Sequence, residues 1–230
     1  MPVIVMESSK GGVGKTTSAL VVGTELARKA SVTLIDADPN RPIQVWAKAK
    51  KMPANLQVID NATEDNIVEV IDDAASASSF VVVDLEGTAA KIAVLATMRA
   101  DLVIIPMQAS QLDAHESAKV INVVRQAEMT LRRPIPSRIL FTRTNPTIKT
   151  RTFAHLAKAL TDRGVPVLKS QLHEREAFKA MFSYQRTLEE LDPAKVANLD
   201  KAIANAQQIV AEIIAILRTT AATQQQEARA

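Results

Sequence analysis

The sequence predicts one α/β domain: a doubly wound, mostly parallel, twisted sheet with helices on both faces. Three observations carry this. Short continuous apolar runs recur along the chain and alternate with helical patterns, as buried parallel strands alternate with crossover helices. A glycine-rich turn at residues 10–17 stands between the first apolar run and the first helix. Two later runs end in aspartates, Asp36 with Asp38 and then Asp84, at the carboxyl strand ends that line the ligand crevice of such sheets.

Composition fits this class. The chain has 230 residues, 47% hydrophobic and 23% charged, enough for one domain with a sizeable core. It has no cysteine, which excludes disulfides, Cys-ligated zinc and Cys-held iron–sulfur clusters. No run approaches the roughly 20 apolar residues of a membrane span, and residue 3 already begins a core strand rather than a signal peptide. A cytoplasmic protein is expected. Formal net charge is only +3, but residues 125–186 hold 13 Lys/Arg against 4 Asp/Glu, and the remainder 15 against 21. Such a basic block suggests a polyanion surface.

The first strand is the run 3–6, followed by Lys10, Gly11, Gly12, Val13, Gly14, Lys15, Thr16 and Thr17, and then by a helix over 18–27. Strand, glycine turn and helix together make a phosphate-binding loop: backbone N–H groups and the helix N-terminus cradle phosphate, Lys15 reaches the β- and γ-phosphates, and the Thr16 hydroxyl sits on Mg²⁺. The usual G-x-x-x-x-G-K-[ST] pattern is broken by Ser9, and an extra lysine, Lys10, appears instead. K-G-G-x-G-K-T-T resembles the deviant Walker A loop of the ParA/MinD family of ATPases. The resemblance implies ATP and Mg²⁺ as cofactors, and an ATP-dependent homodimer in which Lys10 reaches the partner's nucleotide while Lys15 serves its own.

The run 31–35 ends in Asp36 and Asp38, and Pro39 follows. This resembles the family's A′ motif, which gives Asp38 the positioning of the attacking water and Asp36 a supporting role at the loop or the metal's water shell. Asp38 is also placed to cap the helix that contains Trp46. A strand at 56–59 and a helix over 64–76 follow, then the run 80–83 ending in Asp84. That is a Walker B form, with Asp84 holding Mg²⁺ opposite Thr16. The family commonly has D-x-P here; this chain has Leu85, Glu86 and Gly87, and Gly87 could offer the γ-phosphate a backbone N–H.

Next come a strand at 102–106, a P-x-x-x-S stretch ending at Ser110, a helix over 112–129 and a strand at 138–143. The resemblance brings the end of that strand to the adenine, making Thr142, Arg143 and Asn145 candidates. A helix over 149–163 and a final strand at 165–168 are predicted. A helix starting at 171 carries Arg175, with Lys179 one turn on and Lys169 and Arg186 flanking. In ParA-like proteins an arginine here binds DNA without sequence preference, and the string H-E-R-x-A-F-x-A-M is similar to VirC-type relatives. His173 is expected at a surface or helix start.

Asp192-Pro193 predicts the start of a long helix over 192–218, with Val196, Leu199, Ile203, Ala206, Val210, Ile213 and Leu217 forming its stripe. Packing on the domain's own sheet is favoured over a heptad seam or a MinD-like membrane helix. The domain is thus residues 1–218, and 219–230 reads as a disordered polar tail. The resemblance as a whole implies a DNA-partition ATPase, nucleoid-associated, stimulated by a ParB-like adaptor, with no membrane attachment. A VirC-like role in conjugative DNA transfer, a MinD-like positioning role and an ATP-dependent ligase are the alternatives.

Overall fold

The structure, a computed structural model, describes residues 1–48, 52–86, 90–147 and 151–227. Seven strands form one sheet in the order β3-β2-β4-β1-β5-β6-β7. They are β1 (Val3–Met6), β2 (Val32–Ala37), β3 (Leu56–Ile59), β4 (Phe80–Leu85), β5 (Leu102–Met107), β6 (Ser137–Thr144) and β7 (Leu172–His173). Every strand pair is parallel. The helices are α1 (Lys15–Ala27), α2 (Pro42–Ala47), α3 (Ile67–Ala77), α4 (Ala90–Arg99), α5 (Gln111–Leu131), α6 (Arg151–Asp162), α7 (Glu176–Tyr184) and α8 (Leu199–Glu227), with a 3₁₀ turn at Leu188–Glu190.

Strand periodicity divides the core in two. Ile4, Met6, Leu34, Val82, Ile104 and Leu140 point to one face and pack with α1, α7 and α8. Val3, Val5, Val81, Val83, Val103 and Phe141 point to the other, with residues of α3, α4, α5 and α6. The first-face packing is tight where α1 crosses β2: a Cβ on Gly23 would lie 2.6 Å from Leu34 Cδ2.

The strand order reverses at β1, flanked by β4 and β5. Ligands bind at such a switch point. Met6 pairs with Asp84, and Asp84 with Asp36, so the phosphate loop and both carboxylate-bearing strand ends share one edge.

The structure differs from expectation in five places. Helix α4, unanticipated, fills the crossover from β4 to β5, which run parallel on either side of β1. The expected strand at 165–168 is only a bridge between Val167 and Ile139, and the last strand is β7. Residues 171–175 therefore precede a helix rather than begin one, and α7 starts at Glu176. Asp192 does cap a turn, accepting from the Ala194 N–H at 2.9 Å, but Asn198 takes a left-handed φ of 55° and breaks it, so α8 begins at Leu199. Helix α8 also continues to Glu227 in place of the expected tail; Ala and Gln, good helix formers, dominate that stretch. Its stripe, Leu199, Ala206, Val210, Ile213 and Leu217, is buried in the first-face core.

Candidate nucleotide site

The chain leaves β1 at Met6 and turns through a loop that ends on α1. Gly12 and Gly14 have φ of 75° and 99°, a conformation that costs a side-chain-bearing residue energy. Gly14 is the N-cap of α1, with no side-chain cap, so the first N–H groups of the helix stay available to an anion. Thr142, at the end of β6, braces the loop from below. It is 1% exposed, and its hydroxyl donates to the Val13 carbonyl at 2.6 Å and is 3.2 Å from that of Met107.

Lys15 is buried. Burial lowers its pKa, while Asp84, Asp38, Glu86 and Glu7 pull it back up. The nearby acidic side chains oppose the fall without cancelling it, so its pKa stays below the ordinary lysine value. Asp84 is 0% exposed, and among the described residues neither of its oxygens finds a hydrogen-bond partner. Its pKa is raised to about 7, chiefly by burial and also by Asp36 and Asp38, against the opposing Thr16 hydroxyl and Lys15. Buried carboxylate oxygens without partners are rare. Beside a threonine hydroxyl and a phosphate loop, they are the oxygen donors a Mg²⁺ takes. Among the described residues no group of three or more acidic, His or Cys side chains forms a metal cage.

Asp36 and Asp38 divide their work differently from the expectation. Asp36 is buried and accepts from the Gln44 N–H at 2.9 Å and the Asp38 N–H at 3.4 Å. It is Asp36, not Asp38, that satisfies the start of α2. Asp38 is half-buried, accepts from the Asn40 backbone and side chain at 2.8 and 3.0 Å, and contributes to the field at Lys15. Gly87 lies outside the described residues.

Lys10 makes an ion pair with Asp113 at the start of α5. Asp113 is buried and also accepts from the Gln108 N–H and the Ser110 hydroxyl at 2.9 Å each, while Ser110 Oγ accepts the Asp113 N–H. These bonds and Lys10 hold the Asp113 carboxyl below its ordinary pKa despite burial. Ser9 donates to Glu116 one turn further on, at 2.9 Å. The first half of the loop is thus moored to α5, and the sequence reading missed both carboxylates; the S-x-x-D spacing of Ser110 and Asp113 was the available signal. It also missed Glu7, buried at the loop's root, whose Oε2 accepts from Thr97 on α4 at 2.9 Å. Burial raises Glu7 to about 7, against the Thr97 bond and Lys15.

Beyond the loop, a cleft of about 670 Å³ opens over the ends of β5, β6 and β7. Thr142, Arg143 and Asn145 line it, with His173, Asn205 and Gln208 opposite. Arg143 is exposed with a φ of 51°, and Asn145 Oδ1 accepts from the Thr147 backbone and hydroxyl. Of the basic candidates, Lys169, Lys179 and Arg186 are exposed, and Lys179 lies 3.4 Å from Glu174. Arg175 is the N-cap residue of α7, half-buried, its Nε buried without a partner among the described residues. It precedes the helix, so it does not share a helical face with Lys179. Part of the basic block is structural: Arg133 donates to the Met98 and Ala100 carbonyls at 3.1 Å each. No described helix is long and apolar enough to cross a membrane.

Comparison with known proteins agrees with this geometry. The family model described as VirC1 protein matches residues 1–221. The chain is 38% identical over 208 residues to "Protein ParA" of Rhizobium radiobacter, covering 90% of this chain and 93% of that one. It is 29% identical to the "Maintenance of carboxysome distribution protein A" of Gloeobacter kilaueensis, covering 83% and 94%. A solved plasmid partition protein from Borrelia burgdorferi superposes with a TM-score of 0.64 at 20% identity, covering 93% and 97%, a likeness of fold.

Proposed function

Because the chain belongs to the VirC1/ParA family of P-loop ATPases, we propose that it is a Mg²⁺-dependent ATPase working as a nucleotide switch in DNA partition. ATP closes a homodimer, the closed dimer binds DNA without sequence preference, and hydrolysis reopens it. The observation that carries the reading is Asp84, a buried carboxylate with two orphan oxygens among Thr16, Lys15 and the loop.

In this reading the loop N–H groups, Lys15 and Thr17 grip the phosphates, and Thr16 and Asp84 would flank Mg²⁺. Mg²⁺, when bound, supplies charge neutralisation across the phosphates. Asp38 orients the attacking water. Lys10, paired with Asp113 in the single chain, exchanges that partner for the phosphates of a second subunit. Catalysis is then positioning and charge stabilisation. Arg175 leads DNA contact with Lys169, Lys179 and Arg186, and Arg143 and Asn145 face the base. A ParB-like DNA-bound adaptor stimulates the slow intrinsic turnover, the cargo is a plasmid or chromosome, and the protein sits on the nucleoid in the cytoplasm. A second reading, the same switch applied to conjugative DNA, draws on the VirC1 match. A MinD-like membrane role loses its support because the stripe of α8 is buried.

The test is binding to a random-sequence duplex with ATP, ADP or no nucleotide at two salt concentrations. Tight, salt-sensitive binding with ATP alone supports the switch. Equal binding in all three states, or none, removes it.

A further inference from the structure

Residues 169–175 form a strap that joins the cleft to α7. Lys169, Ser170, Gln171 and His173 line the cleft, and Arg175 caps α7 at the strap's end. Its strand, β7, has two residues and sits at the sheet edge, too short to hold itself. Two side chains of α8 hold it instead. The Glu212 carboxylate accepts the consecutive Lys169 and Ser170 N–H groups at 2.8 Å each. Asn205, 3% exposed, donates Nδ2 to the Gln171 carbonyl at 2.8 Å and accepts the His173 N–H at 3.1 Å.

Asn205 therefore does for β7 what a neighbouring strand would do, since an amide can donate and accept at once. Asn205 and Glu212 are seven residues apart, two turns along one helix face. On the other side β6 ties the strap down: the Glu174 N–H donates to the Thr144 carbonyl at 3.0 Å, and Thr144 Oγ1 and His173 Nδ1 are 2.9 Å apart. A movement of the strap moves both the cleft wall and the residue that starts α7.

We propose that Asn205 and Glu212 are positioning residues through which α8 sets the strap at the base end of the nucleotide cleft, and that the strap thereby couples nucleotide occupancy to the placement of Arg175. Coupling of this kind needs an element that both sites touch, and the strap is such an element. The DNA half rests on the proposed DNA binding, and the nucleotide half on the proposed placement of the base in this cleft.

The test separates the base end from the phosphate end. ATP spans both, whereas inorganic tripolyphosphate occupies the loop alone. Glu212→Ala and Asn205→Ala should weaken ATP binding about 3- to 10-fold, the scale of one or two hydrogen bonds, and leave tripolyphosphate binding unchanged. Glu212→Gln, which keeps one acceptor oxygen, should recover part of the loss. ATP-dependent DNA affinity should fall in Glu212→Ala but not fall further when Glu212→Ala is added to Arg175→Ala. Equal weakening of ATP and tripolyphosphate, or no weakening of either, overturns the positioning role. A Glu212→Ala loss in DNA affinity that persists without Arg175 overturns the coupling. If the wild type binds no DNA at all, the proposed function falls and the coupling with it, while the ATP–tripolyphosphate comparison still decides the positioning.

Discussion

Thr142→Val tests how the phosphate loop is held. Valine copies the shape of threonine, so the space beside Gly14, where an added Cβ would lie 3.5 Å from Thr142 Cβ and Cγ2, stays filled. What disappears is the hydroxyl that donates to Val13, leaving a loop carbonyl unsatisfied in a position 1% exposed. An orphaned buried acceptor costs about 1–3 kcal/mol. Part of that appears as lost global stability. The rest appears as a looser loop, costing up to about tenfold in nucleotide affinity, or about 1.4 kcal/mol. Urea denaturation gives the first number and titration of a fluorescent ATP analogue the second. Thr142→Ser, which keeps the hydroxyl, should preserve the affinity. If Thr142→Val matches the wild type in both measurements, the brace is not what shapes the loop.

Three further outcomes are expected. Glu7 is raised to about 7 in the fold from 4.5, so the folded state keeps a proton that the unfolded state sheds. Its contribution is complete below pH 4.5 and is lost as pH rises to about 7; Glu7→Gln should flatten this part of the stability profile, by up to about 3 kcal/mol at pH 8, as read by urea denaturation across pH. Gly23→Ala, meeting Leu34 at 2.6 Å, should destabilise by about 1–2 kcal/mol net of its helix-propensity gain, and the loss should shrink to less than half when Leu34→Val is combined with it in a double-mutant cycle. Arg175→Ala should weaken DNA binding at every sequence alike and reduce its salt slope by about one; unchanged binding in a salt titration would move the interface elsewhere.

The sheet was legible because parallel strands buried on both faces must be apolar throughout, as the runs at 3–6, 80–83 and 102–106 are. The loop was legible because phosphate binding needs glycine at fixed places, and Gly12 and Gly14 do take positive φ. What stayed hidden depends on contacts distant in sequence. Helix α4 is short and rich in alanine, so its pattern is weak and the β4–β5 crossover is the clearer signal for it. Strand β7 is fixed by Asn205 and Glu212, more than thirty residues away, whereas local pattern favoured 165–168. Asp113 lies 103 residues from Lys10, and nothing near the loop points to it. The start of α2 is satisfied by Asp36 rather than Asp38 because capping depends on which carboxylate faces inward, and strand alternation near a chain turn does not decide that.

The account stands or falls on the nucleotide-controlled dimer. Light scattering of the wild type and of Lys10→Ala, each with ADP and with a non-hydrolysable ATP analogue plus Mg²⁺, measures it directly. The account predicts that mass doubles only for the wild type with the ATP analogue, and that Lys10→Ala stays monomeric though it still binds nucleotide. A wild type that remains monomeric with the ATP analogue, or a Lys10→Ala variant that dimerises as well as the wild type, contradicts it.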